Sequence, residues 1–177
     1  MIISENKINR CNNPELRSVL QRMKQYEKYC NLFDGDLGTY VKTFERMKCV
    51  APEGKMPEQL KEWLKIFDGG LLFTTSMFST LDHKEGAFNQ LLTFAEINSM
   101  DFKEKNDLPE EIVCFAMTNY GNYYCYVSYE DCGWVYEFDV DQCALTIKWD
   151  SFAQWLDEQI DFAESLIRDD LLDPLEV

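Results

Sequence analysis

The 177-residue chain holds one histidine, His83, and none of its seven cysteines stands in a C-x-x-C pair. A Ser–His or Cys–His mechanism would have to use that imidazole, yet the segment Thr80-Leu81-Asp82-His83-Lys84 carries no nucleophile-elbow pattern. His83 reads as a solvated loop residue. Zinc sites show close Cys or His pairs, so no structural metal is expected. An odd cysteine count with no paired spacing suits a reducing compartment, and several cysteines fall in apolar runs where the thiol acts as a small core residue. The N-terminus MIISENKINR lacks the apolar run of a secretory signal, and no stretch reaches the length of a membrane span. The expected location is the cytoplasm.

Bases are scarce: 17 Lys and Arg stand against 32 Asp and Glu, for a net charge of −15. Phosphate neutralisation needs a basic face, so nucleic acid is not an expected partner, and an anionic membrane would repel the chain. Phosphate-cradling glycines are missing too, because Gly69-Gly70 follows a helical pattern and not a strand. Two acidic stretches approach calcium-loop spacing without meeting it. Asp34-Gly35-Asp36 has Gly38 and Thr39 at positions five and six, and the set Asp139, Asp141, Asp150 has Cys143 and Ala144 there. Both read as turn chemistry. With so many acids, no carboxylate pair stands out as an acid–base couple. No catalytic residue, metal site or cofactor is expected, and the chain does not read as an enzyme.

What is present is apolar mass. The 46% hydrophobic and 14% aromatic content supports one domain over residues 1–177. A chain of this size buries about 70% of its extended surface. The acidity is concentrated late: residues 150–177 carry nine acids and one base. Such charge either keeps a domain soluble or steers it to a basic protein partner.

Asn13-Pro14 predicts a helix start, followed by Leu16, Val19, Leu20, Met23 and Tyr26 at helical spacing. Residues 31–36 break that pattern. Tyr40, Val41, Phe44 and Met47 predict a second helix, which makes residues 1–50 an N-terminal helical layer. Met56-Pro57 opens a third helix with Leu60, Trp63, Leu64 and Phe67 as its stripe, closed by Gly69-Gly70. Short strands are expected at Leu71–Thr74 and Leu91-Leu92. Thr93-Phe94-Ala95-Glu96 reads as a capping box, and Lys103–Asp107 as a charged loop. The period then changes to two. Strands are expected over Ile112–Met117, Tyr123–Tyr129, Trp134–Asp139 and Leu145–Trp149, paired antiparallel through short turns. Ser151 opens a closing helix with Phe152, Trp155, Leu156, Ile160, Ala163 and Ile167 on its core face. Residues 171–177 read as a frayed acidic tail. The fold class is α+β, with a mainly antiparallel sheet, a meander in the second half, and flanking helices.

Period two sends Tyr123, Tyr124, Tyr126, Tyr129, Trp134 and Tyr136 to both faces of that sheet. Either a second layer covers the outer face, or that face exposes tyrosines as interface anchors. The candidate partner-binding residues are Tyr120, Asn122, Tyr123, Tyr124, Tyr126, Trp134 and Tyr136, together with the helix acids Asp157, Asp161 and Glu164.

Three segments resemble the SUKH superfamily, over about Pro57 to Ile160. Met56-Pro57-Glu58 through Asp68-Gly69-Gly70 is similar to its helix that begins hydrophobic-Pro-Glu. Leu108-Pro109 through Phe115-Ala116 and Gly121-Asn122-Tyr123-Tyr124-Cys125-Tyr126 resembles its strand–turn–strand. Ser151-Phe152-Ala153-Gln154-Trp155-Leu156 resembles its closing helix. The chain departs from the pattern at Asn119, at Asn122, where the family usually has aspartate, and at Val127. The resemblance implies a SUKH-like core over 51–165 ahead of an acidic end at 166–177. It also implies a binding role: a bacterial immunity protein that neutralises a cognate toxin, often a nuclease. The alternative is a general protein- or peptide-binding scaffold with a regulatory role, like the fungal cell-wall-synthesis regulators of the same superfamily.

Overall fold

A computed structural model of the chain describes residues 3–35, 56–79, 93–130 and 133–175. The expected helix at Tyr40–Met47, the strand at Leu91-Leu92 and His83 lie outside the described residues. Asn13 caps the helix that the sequence places at Pro14. Its Oδ1 accepts from the Leu16 N–H at 2.9 Å, and α2 (Pro14–Met23) buries Leu16, Val19, Leu20 and Met23. A short α1 (Glu5–Ile8), absent from the sequence reading, precedes it. A 3-10 helix over Lys24–Tyr29 then leads into β1 (Cys30–Asp34). The N-terminal segment thus carries a strand beside its helices. Cys30 and Leu32 are buried while Asn31 and Phe33 are half-buried, a period-two pattern too short to stand out in the sequence.

The next described element, α3 (Glu58–Ile66), ends earlier than expected. Gly69 and Gly70 lie inside β2 (Phe67–Leu72), and β3 (Thr75–Met77) follows a tight turn. After α4 (Phe94–Ile97) and α5 (Met100–Lys105) come β4 (Ile112–Met117), β5 (Tyr123–Val127), β6 (Val135–Asp139), β7 (Ala144–Trp149) and α6 (Phe152–Arg168). The seven described strands form one sheet in chain order, and every neighbouring pair is antiparallel. The fold is α+β, and the meander expected for the second half runs through the whole sheet. Helices α2, α3 and α6 pack together on one face. Phe115 of β4 meets Phe152 and Trp155 of α6 with ring centroids 5.6 and 5.1 Å apart.

β3 is short, so β4 loses its strand partner below Ala116. Side chains from α4 and α5 continue that edge. The Asn98 amide donates to the Cys114 carbonyl at 2.8 Å, and its oxygen accepts the Cys114 N–H at 2.7 Å. The Lys103 ammonium donates to the carbonyls of Glu110 and Ile112 at 2.8 and 2.6 Å. Buried backbone groups must be paired, and these two side chains supply what a longer β3 would have given. The charged loop expected at Lys103–Asp107 is therefore corrected: Lys103 is a buried residue on a helix. Cys11, Cys30, Cys114 and Cys125 are free and buried. Burial pushes the Cys30 and Cys114 thiols up to about 12, which leaves them inert as nucleophiles.

The Ser151 hydroxyl accepts from the Gln154 N–H at 3.1 Å, but Gln154 reaches back to the Asp150 N–H and not to that of Ser151. Ser151-Phe152-Ala153-Gln154 has capping-box spacing, but the reciprocal bond is offset by one residue. The tail is docked where fraying was expected: the Leu175 N–H donates to the Lys28 carbonyl at 2.9 Å, and Leu172 packs on the core.

One buried carboxylate ties the N-terminal segment to α3. Glu62 accepts the Asn12 N–H and the Lys65 ammonium, each at 2.8 Å. Burial raises its pKa, but those two donors outweigh burial and hold it below the usual carboxylate range. A depressed folded value stabilises fully above the unfolded value of about 4.3, and the contribution is lost as pH falls through the lower folded value. Glu62→Gln is expected to cost roughly 2 kcal/mol at pH 7. Urea midpoints should show that difference shrinking as pH drops below about 4. A difference constant from pH 7 to pH 3 would refute the assignment.

Candidate functional site

Strand register assembles the site. Tyr124 of β5 lies opposite Glu137 of β6, and Glu137 lies opposite Ile147 of β7. Directly opposed residues share a face, so these three side chains leave the sheet together with Trp149. This is the face that α6 crosses, and Gln159 and Phe162 come down onto it from the helix. The β4–β5 turn closes one end. There Thr118 N–H donates to the Asn122 carbonyl at 2.8 Å, and Asn122 N–H donates to the Thr118 hydroxyl at 2.9 Å. Gly121 takes a φ of 102° inside that turn, which leaves Tyr120 projecting over the sheet. The result is a pocket of about 210 Å³ between the sheet, the turn and α6.

The floor of the pocket is polar. Glu137, 6% exposed, accepts from the Tyr120 hydroxyl at 3.1 Å and from the Asn122 Nδ2 at 2.7 Å. The Thr75 hydroxyl donates to the Gln159 Oε1 at 3.1 Å. The Tyr124 phenol stands in hydrogen-bonding reach of both Gln159 and Tyr120. Burial raises the Tyr124 and Tyr120 phenols above their ordinary range, and the nearby Glu137 carboxylate adds to this. Both therefore remain protonated donors at neutral pH. Trp149 is fixed beneath them by its indole N–H, which donates to Glu158 at 2.7 Å. The rim is apolar and open: Tyr120 is 67% exposed, Phe162 52% and Ile147 47%.

Of the candidates read from sequence, Tyr120, Asn122 and Tyr124 meet in this pocket. Of the two arrangements the sequence allowed for the tyrosine strands, the covered one is present. Tyr123, Tyr126 and Tyr136 are buried, because β5 and β6 are interior strands packed on both faces. Tyr123 meets Phe78 at 6.5 Å on the face away from α6, and the Tyr136 hydroxyl donates to Glu130 at 2.8 Å. Trp134 is half-buried, with the Lys148 ammonium 3.0 Å from its ring centroid. Asp157, Asp161 and Glu164 lie along one face of α6, all paired with Arg22 of α2. The Arg22 hydrogen bond, joined by one from Tyr26, holds Glu164 below the usual range. Those acids thus join two helices.

Most of the pocket lining was not among the candidates read from sequence, Glu137, Ile147, Gln159 and Phe162 included. The signals were a lone acid between Tyr136 and Phe138, and a glutamine four residues after Trp155 on the buried face of α6. Asn122 has a clear role here. Its amide donates to Glu137, whereas the aspartate expected from the resemblance would oppose one carboxylate with another. Among the described residues no group of His, Cys, Asp and Glu is placed to hold a metal ion, and no helix is long and apolar enough to cross a membrane.

A family model described as SMI1 / KNR4 family (SUKH-1) matches residues 45–158. That span contains the strands β2 to β7 and the start of α6, and so most of the pocket. No curated protein matches the chain.

Proposed function

The chain belongs to the SMI1/KNR4 family (SUKH-1), and from that premise we propose that it is a protein-binding immunity protein. In this reading it neutralises a cognate toxin domain, a basic one of nuclease type, inside the cytoplasm. The observation that carries the reading is the acid-floored pocket with exposed Tyr120, Ile147 and Phe162 at its rim, on a chain of net charge −15. Exposed aromatic residues around a desolvated polar centre suit a protein interface. The acidic field would speed encounter with a basic partner. No catalytic constellation in the sequence competes with this reading.

The test is capture of the tagged chain from its source cells at moderate salt, with the eluate identified by mass spectrometry. The expected result is one stoichiometric partner that arrests growth when expressed alone and loses that effect on co-expression with this chain. A diffuse set of weak, non-toxic partners would overturn the reading and favour a regulatory scaffold.

A further inference from the structure

We infer that the pocket between α6 and the β4–β5 turn receives a single basic side chain, arginine above all, from the protein partner. The inference rests on the protein-binding reading and adds the chemistry of the contact. It starts from an imbalance. Glu137 is buried to 6% exposure, and both of its bonds, from neutral Tyr120 and neutral Asn122, fall on Oε1. Among the described residues no donor reaches Oε2, and no lysine or arginine pairs with the carboxylate. A carboxylate can accept about four hydrogen bonds, and Glu137 lines the pocket with acceptor capacity that the protein leaves unused. A cation delivered from outside adds a counter-charge and completes the acceptor set.

The shape fits the same occupant. A space of about 210 Å³ admits one long side chain and no folded element. Its apolar rim suits the methylene stem of such a side chain, and the exposed rings of Tyr120 and Phe162 flank the path of its head. A guanidinium stacks on aromatic faces and presents a planar fork to a carboxylate, which favours arginine over lysine. The net charge of −15 disfavours an acidic occupant on the same grounds.

The experiment is an NMR titration of the isotopically labelled full chain with an acetylated and amidated Gly-Arg-Gly peptide, beside the same peptide carrying citrulline. The arginine peptide is expected to shift the side-chain amide signals of Asn122 and Gln159 in a saturable way. The citrulline peptide, neutral and of nearly equal shape, is expected to leave them in place. Glu137→Gln, which keeps an acceptor for Tyr120 and Asn122, is expected to weaken the arginine peptide at least about tenfold. Equal shifts from both peptides, or none from arginine, would overturn the inference. If the variant fails to fold, the citrulline comparison alone decides. A toxin neutralised equally well by Glu137→Gln would also overturn it, while leaving the immunity reading intact. Saturable arginine binding in a chain with no toxic partner would uphold the pocket and overturn the immunity reading.

Discussion

Gly70→Ala is expected to lose about 4 kcal/mol of stability, enough to bring a domain of ordinary stability close to unfolding. Gly70 takes a φ of 111° in the middle of β2, where it lies opposite Leu32 of β1. A Cβ placed there would stand 2.3 Å from the Asn31 carbonyl oxygen and 2.8 Å from the Leu32 Cα. Both are backbone atoms of the paired strand, so no side-chain rotation relieves the clash, and β1 must move away. The strain of positive φ alone costs roughly 1–3 kcal/mol. Gly121→Ala isolates that share, because Gly121 has a φ of 102° and nothing within 4 Å of the added atom. Urea unfolding of both variants should show Gly121→Ala losing much less. Equal losses would refute the backbone clash.

The same glycines show why part of the fold was illegible. A Gly-Gly pair after a helical stripe is the usual helix terminator, and sequence alone cannot distinguish it from two strand residues under a crowding neighbour. That distinction depends on β1, whose alternation spans five residues. Lys103 fails for a related reason. In Asp101-Phe102-Lys103-Glu104-Lys105 it looks like one more solvated charge, yet its ammonium substitutes for a missing strand partner. The second half was readable because short turns enforce antiparallel pairing and Ser151 marks a helix start. Even there, Glu137 alternates with Tyr136 and Phe138 as a polar residue of a half-buried strand would. Its burial follows from α6 crossing that face, a tertiary fact. Tyr120, Asn122 and Tyr124 were legible as binding candidates because they cluster along the chain. Gln159 and Phe162 reach the same pocket from a distant helix, and only the packing of α6 brings them there.

Trp155→Ala is expected to cost about 3–5 kcal/mol, while Trp155→Phe costs under about 1.5 kcal/mol. The indole is fully buried, with ring centroids 5.1 Å from Phe115, 5.1 Å from Tyr124 and 5.0 Å from Phe152. Removing it opens a cavity at the point where the core of α6 meets the sheet. The contrast with phenylalanine rests on the indole nitrogen. Among the described residues no acceptor meets the Trp155 N–H, whereas the Trp149 N–H is bonded to Glu158. Replacing Trp155 by phenylalanine keeps most of the ring contacts and removes a buried donor that gains nothing, so the two effects partly offset. Thermal melts and urea midpoints give the comparison; a phenylalanine variant as unstable as the alanine one would mean that the nitrogen is bonded after all. The binding readout should follow the same order. Tyr124 leans on Trp155 on one side and reaches Tyr120 and Gln159 on the other. Loss of the indole therefore loosens the pocket floor and should weaken the arginine peptide, while Trp155→Phe should leave its affinity nearly unchanged.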